Sequence, residues 1–411
     1  MVQQLDFDVA TGLYTAGGKE ILNAARRALA HPTTVGLVKR AVAGSRAGEG
    51  EGDGEHVEMP VWGIALLGVS FYAAIIAMSL LSYMLKEVVA TLCMVETPHA
   101  AITVSPSEEP ASKDEKEGLL ETGPTITLVR QKPITSSIRG TIKHVVANAG
   151  RFARFRGFKI HALYSLVFAL AVNFFSAFFL SLFPTGLPGQ AIIVSGLAGA
   201  AVANVHAAWT HKVVSLPSEA TFWQRIPSKS HWKTLAPAAA ISTAMPYISL
   251  YLTGGIAMFL GLHKLDQDNL EQYTRGQWMC LGARVLATVV FAMFTTLFLC
   301  IPAVVTQVRI ESSILPEDQD TIVPFDRTFS GKVVSQLLGG SGKIGFLDAW
   351  RSFNWEARRR LLKLYVKIGA IMMFAMFVVG HVLAFEVFAV MGPQLGEFLA
   401  KARHDGFVQQ S

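Results

Sequence analysis

The chain has 411 residues, of which 51% are hydrophobic and only 16% charged, against about 25% charged in ordinary soluble domains. The apolar residues gather into runs near the ~20 residues that a bilayer crossing needs, so composition excludes a single soluble globular domain. The formal charge is +6, but most Lys and Arg stand beside the apolar runs, which points to a membrane and anionic headgroups rather than nucleic acid.

Residues 1–60 read as an N-terminal arm, partly disordered. It carries a basic amphipathic stretch, "KEILNAARRALA", and an acidic Gly-rich linker, "GEGEGDGE"; the first suits an interface and the second a flexible tether. The first apolar run is Val61–Leu85, closed by Lys86. A polar, Ser- and Pro-rich insertion follows at about 100–130 and reads as disordered. The stretch "GTIKHVVANAGRFARFRGF" (Gly140–Phe158) then changes from basic to apolar and feeds one long uncharged block, Ile160–Thr210. "FPTGLPGQ" (Phe183–Gln190) divides that block into a second and third run, because Pro and Gly at that density mark a tight turn. The remaining runs are Thr234–Leu262, Leu286–Val308 and Ile368–Val390, with residues 391–411 as a tail.

Six runs put both ends of the chain on one side. The loops 86–160, 211–233 and 309–367 hold 25 of the 36 Lys and Arg, so the positive-inside rule places these three on the cytoplasmic or matrix side. The expected fold is an all-α membrane protein of six transmembrane helices in three pairs, each pair joined on the basic side by a substantial loop.

Within the runs only Glu386 is a charged residue, and such groups ordinarily mark a solute path. His206, in "ANVHAAW", is the histidine best placed for a cavity, with a neutral core histidine as the plainer reading. Arg151, Arg154 and Arg156 before the second run, and Arg358, Arg359 and Arg360 before the sixth, are candidate headgroup contacts. Cys93, Cys280 and Cys300 have no metal-ligand spacing, and no nucleophile–base set is present, so neither a cofactor nor an enzyme activity is expected. "GGSGKIG" fails as a phosphate loop because Ile344 follows the Lys and Leu337 stands where the first Gly is required.

The loop pattern and its motifs resemble the mitochondrial carrier family in a highly divergent form. Gly140, Gly150, Phe155, Arg156 and Gly157 follow the family's matrix-helix pattern; Gly345, Asp348 and Glu356 do so in the third loop, and Trp232, Lys233 and Pro237 less fully in the second. Pro302 and Arg309 match the Pro-x-acid-x-x-base-x-Arg ending of an odd helix, with Val304 in place of the acid and Gln307 in place of the base; Ala208 and Thr210 stand at the corresponding places in the third run. Phe385 and Glu386 match the aromatic-acid pair of an even helix, with Ala389 where the base belongs. The resemblance implies a threefold repeat over 61–390, a short interfacial helix in each repeat, and Pro302, Gln307, Arg309, His206, Phe385 and Glu386 as gate or cavity residues. It also implies a mitochondrial membrane, the ER and plasma membrane being the alternatives, and alternating-access transport of a small solute. The loss of the acid–base pairs favours a second expectation, a carrier-like scaffold that does not transport. An unrelated six-helix protein is a third.

Overall fold

The computed structural model describes residues 60–97, 100–105, 125–130, 132–184, 186–264, 273–334 and 338–392. The arm at 1–59, most of the insertion and the tail from 393 lie outside the described residues. Residues Val61–Val390 form one compact unit. Five helices in it are long and apolar enough to cross a membrane: Val61–Val95, Arg151–Leu182, Phe222–Phe259, Arg275–Ser313 and Trp355–Met391. A sixth crossing is made if the pair Gln190–Ala201 and Ala203–Val214, bent by 63°, counts as one. In chain order these are spans 1 to 6, the bent pair being span 3.

The expected runs are each present, but five of the spans continue through charged residues that border the runs, the main helix of span 4 starting at Trp232 and passing Lys233. Span 1 passes Lys86 and Glu87 through a π-helical stretch, Tyr83–Val89. Span 3 passes Thr210 to Val214, span 5 passes Arg309 and Glu311 to Ser313, and span 6 begins at Trp355 rather than Ile368. At Arg309 and Glu311 the physical reason is that the side chains find partners inside the protein, so the helix need not end where charge begins. Glu386 is therefore not the only carboxylate within a span.

Each of the three connections on the basic side contains a short helix: Ile138–Ala149, Phe222–Arg225 and Phe346–Arg351. The first starts two residues before Gly140. Ser137 caps it, its side chain accepting from the Gly140 N–H at 3.1 Å, which satisfies a donor that a helix start otherwise leaves unpaired. Gly150 and Gly157 then take φ of 86° and 77°, a region costly for any residue with a Cβ. At Gly157 space matters too, since a Cβ would stand 3.0 Å from Trp209 Cδ1 and 3.3 Å from the Tyr83 hydroxyl. One non-helical element departs from the all-α expectation: Ala100–Ser105 (β1) pairs antiparallel with Thr125–Arg130 (β2), so the two ends of the stretch at about 100–130, expected to be disordered, are ordered as a ribbon.

The core is concentrated at the basic end. Span 1 buries Tyr83, Leu85 and nearly everything from Val88 to Glu96, but only Gly63 before Ser82. The helix Phe158–Leu182 buries nothing, and span 6 buries Ala357, Leu361, Leu364 and Ile368 in its first half and then nothing before Met391 at its end. Large apolar side chains such as Phe174, Phe178, Met373 and Phe374 are exposed, a surface suited to hydrocarbon and far larger than soluble monomers present.

Spans 3 and 4 stay packed further from that end. The small residues Ser195–Val205 provide the contact: Thr243 Oγ1 donates to the Ser195 carbonyl at 2.9 Å, and Trp232 Nε1 to the Ala200 carbonyl at 2.8 Å. A Cβ on Gly199 would collide with Thr243 Oγ1 and stand 2.8 Å from the Ala239 carbonyl oxygen. Gly199→Leu is therefore expected to cost about 3 kcal/mol through separation of these spans, read as a lowered thermal midpoint in detergent, while Gly68→Leu, with nothing within 4 Å, leaves the midpoint unchanged.

A strap of chain after span 5 closes the basic end. Ser215 and Thr321 form an antiparallel bridge, with Leu216 N–H donating to the Asp320 carbonyl at 2.7 Å and Ile322 N–H to the Val214 carbonyl at 2.9 Å. Thr97 N–H donates to the Pro324 carbonyl at 2.8 Å. Ile322 and Val323 pack with Tyr83, Leu92, Trp209 and Val213, and Phe329 with Ala207, Leu235 and Ile310. The strap thus touches the basic-side ends of spans 1, 3 and 5.

Candidate functional site

The polar centre of the molecule lies where spans 3 and 5 meet beneath this strap. Its hub is Glu311, 1% exposed. One carboxylate oxygen, Oε1, lies 2.7 Å from His206 Nδ1 and accepts from Gln307 Nε2 at 2.9 Å. The other accepts from the Thr210 hydroxyl. His211 Nε2 lies 2.8 Å from the Glu311 carbonyl oxygen. Helix geometry explains the convergence: Gln307 and Glu311 are four apart on span 5, and His206 and Thr210 four apart on span 3, so each pair shares a face. A carboxylate in such surroundings is tolerated because its lone pairs are occupied by donors.

Around His206 stand aromatic and ionisable groups from its own and other spans. Tyr164 and Trp209 rings lie 4.9 and 5.0 Å from it, and His161 lies 5.5 Å from Trp209. Tyr83 is 5.0 Å from His161 and receives the Trp209 indole N–H at 3.1 Å. Glu87, half-buried in the π-helical stretch of span 1, is within electrostatic reach of His206 and Tyr164. The Nδ1 of His161 is buried without a hydrogen-bond partner.

Two further sets of bonds hold the same end. Arg309, 4% exposed, donates to the carbonyls of Ala349 (3.1 Å) and Met94 (3.2 Å) and to Ser352 Oγ (3.0 Å), with its guanidinium over the rings of Phe329 and Phe353. It therefore joins spans 1 and 5 to the connection before span 6. Glu96 accepts from the backbone N–H groups of Ile134 (2.6 Å) and Thr135 (3.1 Å) and from the Thr135 hydroxyl, and lies 3.5 Å from Arg360 Nη1.

The expected site residues separate into groups. His206 and Gln307 meet in the Glu311 centre, and Arg309 supports it from one side. Thr210, where the resemblance places an acid, donates its hydroxyl to the Glu311 carboxylate of span 5. Val304, the other such position, packs on the apolar cluster around Leu85 and Phe353, and Glu311 lies about two turns further along the same helix. Pro302 opens the helix Ile301–Ser313, just after a π-helical stretch at Thr296–Cys300, and its carbonyl accepts from Thr306. Phe385 faces outward at 70% exposure. Glu386 sits far from the centre in sequence and space, accepting from Ser70 Oγ of span 1 at 2.8 Å.

Of the arginines, Arg151, Arg154 and Arg359 are exposed. Arg156 is buried and donates to the carbonyls of Lys212 and Ser215, closing the end of span 3. Arg358 lies 4.0 Å over the Trp350 ring and donates to the Phe353 and Trp350 carbonyls. Arg360 also donates to the Cys93 and Glu96 carbonyls. Arg359 and Arg360, together with Lys132, Lys363 and Lys367, line a cavity of about 580 Å³ that Glu356 also borders.

Among the described residues no group of three or more His, Cys, Asp or Glu side chains is arranged to hold a metal ion. The architecture is that of a helical bundle with five or six crossings' worth of apolar helix, polar at one end. Comparison with protein-family models and with curated protein sequences returns no match.

Proposed function

We propose that this chain is a multi-pass membrane protein of carrier type, three helix pairs related by an internal repeat, that moves a small solute by alternating access. The observation that carries the reading is the asymmetry of the bundle. Spans 1, 3 and 5 are drawn together at the basic end by the Glu311 centre, Arg309 and the strap, while spans 1, 2 and 6 bury almost nothing beyond it. A bundle shut at one end and loosely packed at the other is one of the two states such a cycle needs. The shut end combines an apolar core with the specific polar links of Glu311 and Arg309. A mitochondrial membrane fits the carrier resemblance.

The test is uptake by purified protein in liposomes, using nucleotides, di- and tricarboxylates, amino acids and basic solutes. Saturable exchange that is lost in Glu311→Gln supports transport through this end. No exchange by folded, inserted protein refutes it.

The strap favours a second reading, a scaffold whose basic end stays shut, because it adds backbone bonds from Thr97, Leu216 and Ile322 that a moving gate would have to break. The uptake screen separates the two.

On either reading the Lys132–Arg359–Lys363–Lys367 cavity is a seat for an anionic lipid headgroup. Each cation near a membrane surface contributes about 1 kcal/mol, so Lys363→Ser with Lys367→Ser should weaken binding of an acidic phospholipid by about 2 kcal/mol, read by lipid titration in nanodiscs. Unchanged affinity rejects the assignment.

A further inference from the structure

We infer that the His206–Glu311 pair is a proton-binding site, and that release of its proton accompanies opening of the basic end. The inference deepens the gate reading above and rests on it, naming the proton as the ligand that the gate takes.

The geometry fixes the chemistry of the imidazole. Nδ1 faces a carboxylate oxygen at 2.7 Å and Gln307 Nε2 at 3.0 Å, and the Gln307 amide directs a hydrogen to that same oxygen at 2.9 Å. A bare nitrogen lone pair there would be repelled, so Nδ1 carries hydrogen and the exchangeable proton sits on Nε2. With that proton the pair is an imidazolium–carboxylate ion pair; without it the same bond runs from a neutral imidazole to the carboxylate and loses the attraction between opposite charges. Without it Glu311 keeps Gln307 and Thr210 as donors and the link between spans 3 and 5 weakens. Acid therefore favours the shut end and alkali the open one.

The groups facing His206 are consistent with a path for the proton. Glu87 comes from span 1, as does Tyr83, which meets His161; His161 and Tyr164 come from span 2; Trp209, Thr210 and His211, whose Nε2 lies 2.8 Å from the Glu311 carbonyl oxygen, come from its own span; and Gln307 and Glu311 come from span 5. None is a Lys or Arg. His161 adds a buried Nδ1 with no partner, next to the same rings. Ionisable groups of this kind within spans are the material of proton relays. The proton balance is simple: one proton binds from the loosely packed half while the end is shut, and leaves to the basic side when it opens.

Cys93, buried at the basic end of span 1, reports the opening. In a Cys280→Ser, Cys300→Ser background, its rate of labelling by a membrane-impermeant maleimide is measured across pH. Each rate is normalised to the unfolded protein at the same pH to remove thiolate chemistry. The normalised rate is expected to rise about fivefold between about pH 5.5 and 8.5, to be fast and flat in His206→Gln, and to keep its rise in Glu386→Gln. His206→Asn removes the same proton with a shorter amide and serves if the Gln form does not fold. A flat profile in the parent, or an unchanged slope in either His206 variant, overturns the inference. Labelling needs no solute, so such a result would leave uptake to its own assay, and absent uptake would leave a proton response standing.

Discussion

Glu311→Ala is expected to destabilise the protein by about 4 kcal/mol, the range for removing one partner from a buried ionic network. The substitution leaves donors from His206, Gln307 and Thr210 pointing into a closed space, and each unsatisfied buried donor costs about 1–3 kcal/mol. The loss is concentrated in one contact, so it should separate spans 3 and 5 at the basic end before it affects the span 3–span 4 packing around Gly199. Glu311→Gln keeps the size and one acceptor oxygen and should cost about half as much. Thermal unfolding in detergent gives the order wild type, Gln, Ala. An alanine variant as stable as wild type would mean that the centre contributes nothing to holding the end together.

Arg309→Ala carries the second large effect, about 3 kcal/mol. A buried guanidinium with hydrogen bonds to two backbone carbonyls and a hydroxyl has satisfied acceptors that no neighbour can reach once it is gone. It also supplies a cation over two rings, worth about 1 kcal/mol when shielded from water. Arg309→Lys is not conservative here, because one ammonium cannot address Met94, Ala349 and Ser352 from a single plane. Hydrogen exchange should show the pattern: loss of protection at 346–353 and at the end of span 1, with spans 3 and 4 unaffected. Uniform loss across the bundle would assign Arg309 a global rather than a local role.

Much of the frame was legible in the residues. The apolar runs, the turn at Phe183–Gln190 and the helix beginning near Gly140 follow from length, Pro and Gly density and helical spacing, which are local signals. The ribbon of β1 and β2 was not, because its two short strands are separated by a long polar insertion and pairing across it is a tertiary fact.

The site was half legible, for one identifiable reason. His206, Gln307 and Arg309 could be singled out as polar groups at unusual places. Their common partner could not, since a charged residue at the end of an apolar run reads as its border. Glu311 and Glu87 were excluded by that rule, although both lie within spans. The i, i+4 pairing of Gln307 with Glu311, and of His206 with Thr210, was the available signal. It becomes informative only when a helix is allowed to continue through charge that a neighbouring helix can satisfy. The same logic accounts for Arg156 and Arg360, which the sequence offers to headgroups and which the fold engages with carbonyls and with Glu96.

The central claim is that the Glu311 centre holds shut an end that can open. The most direct measurement is the distance between spin labels placed on the exposed residues Arg139 and Glu219, in the connections before spans 2 and 4, by pulsed electron paramagnetic resonance in nanodiscs. A single short distance in the otherwise unaltered protein, joined by a longer one in Glu311→Ala, is the predicted result. The same single distance in a folded Glu311→Ala protein would contradict it.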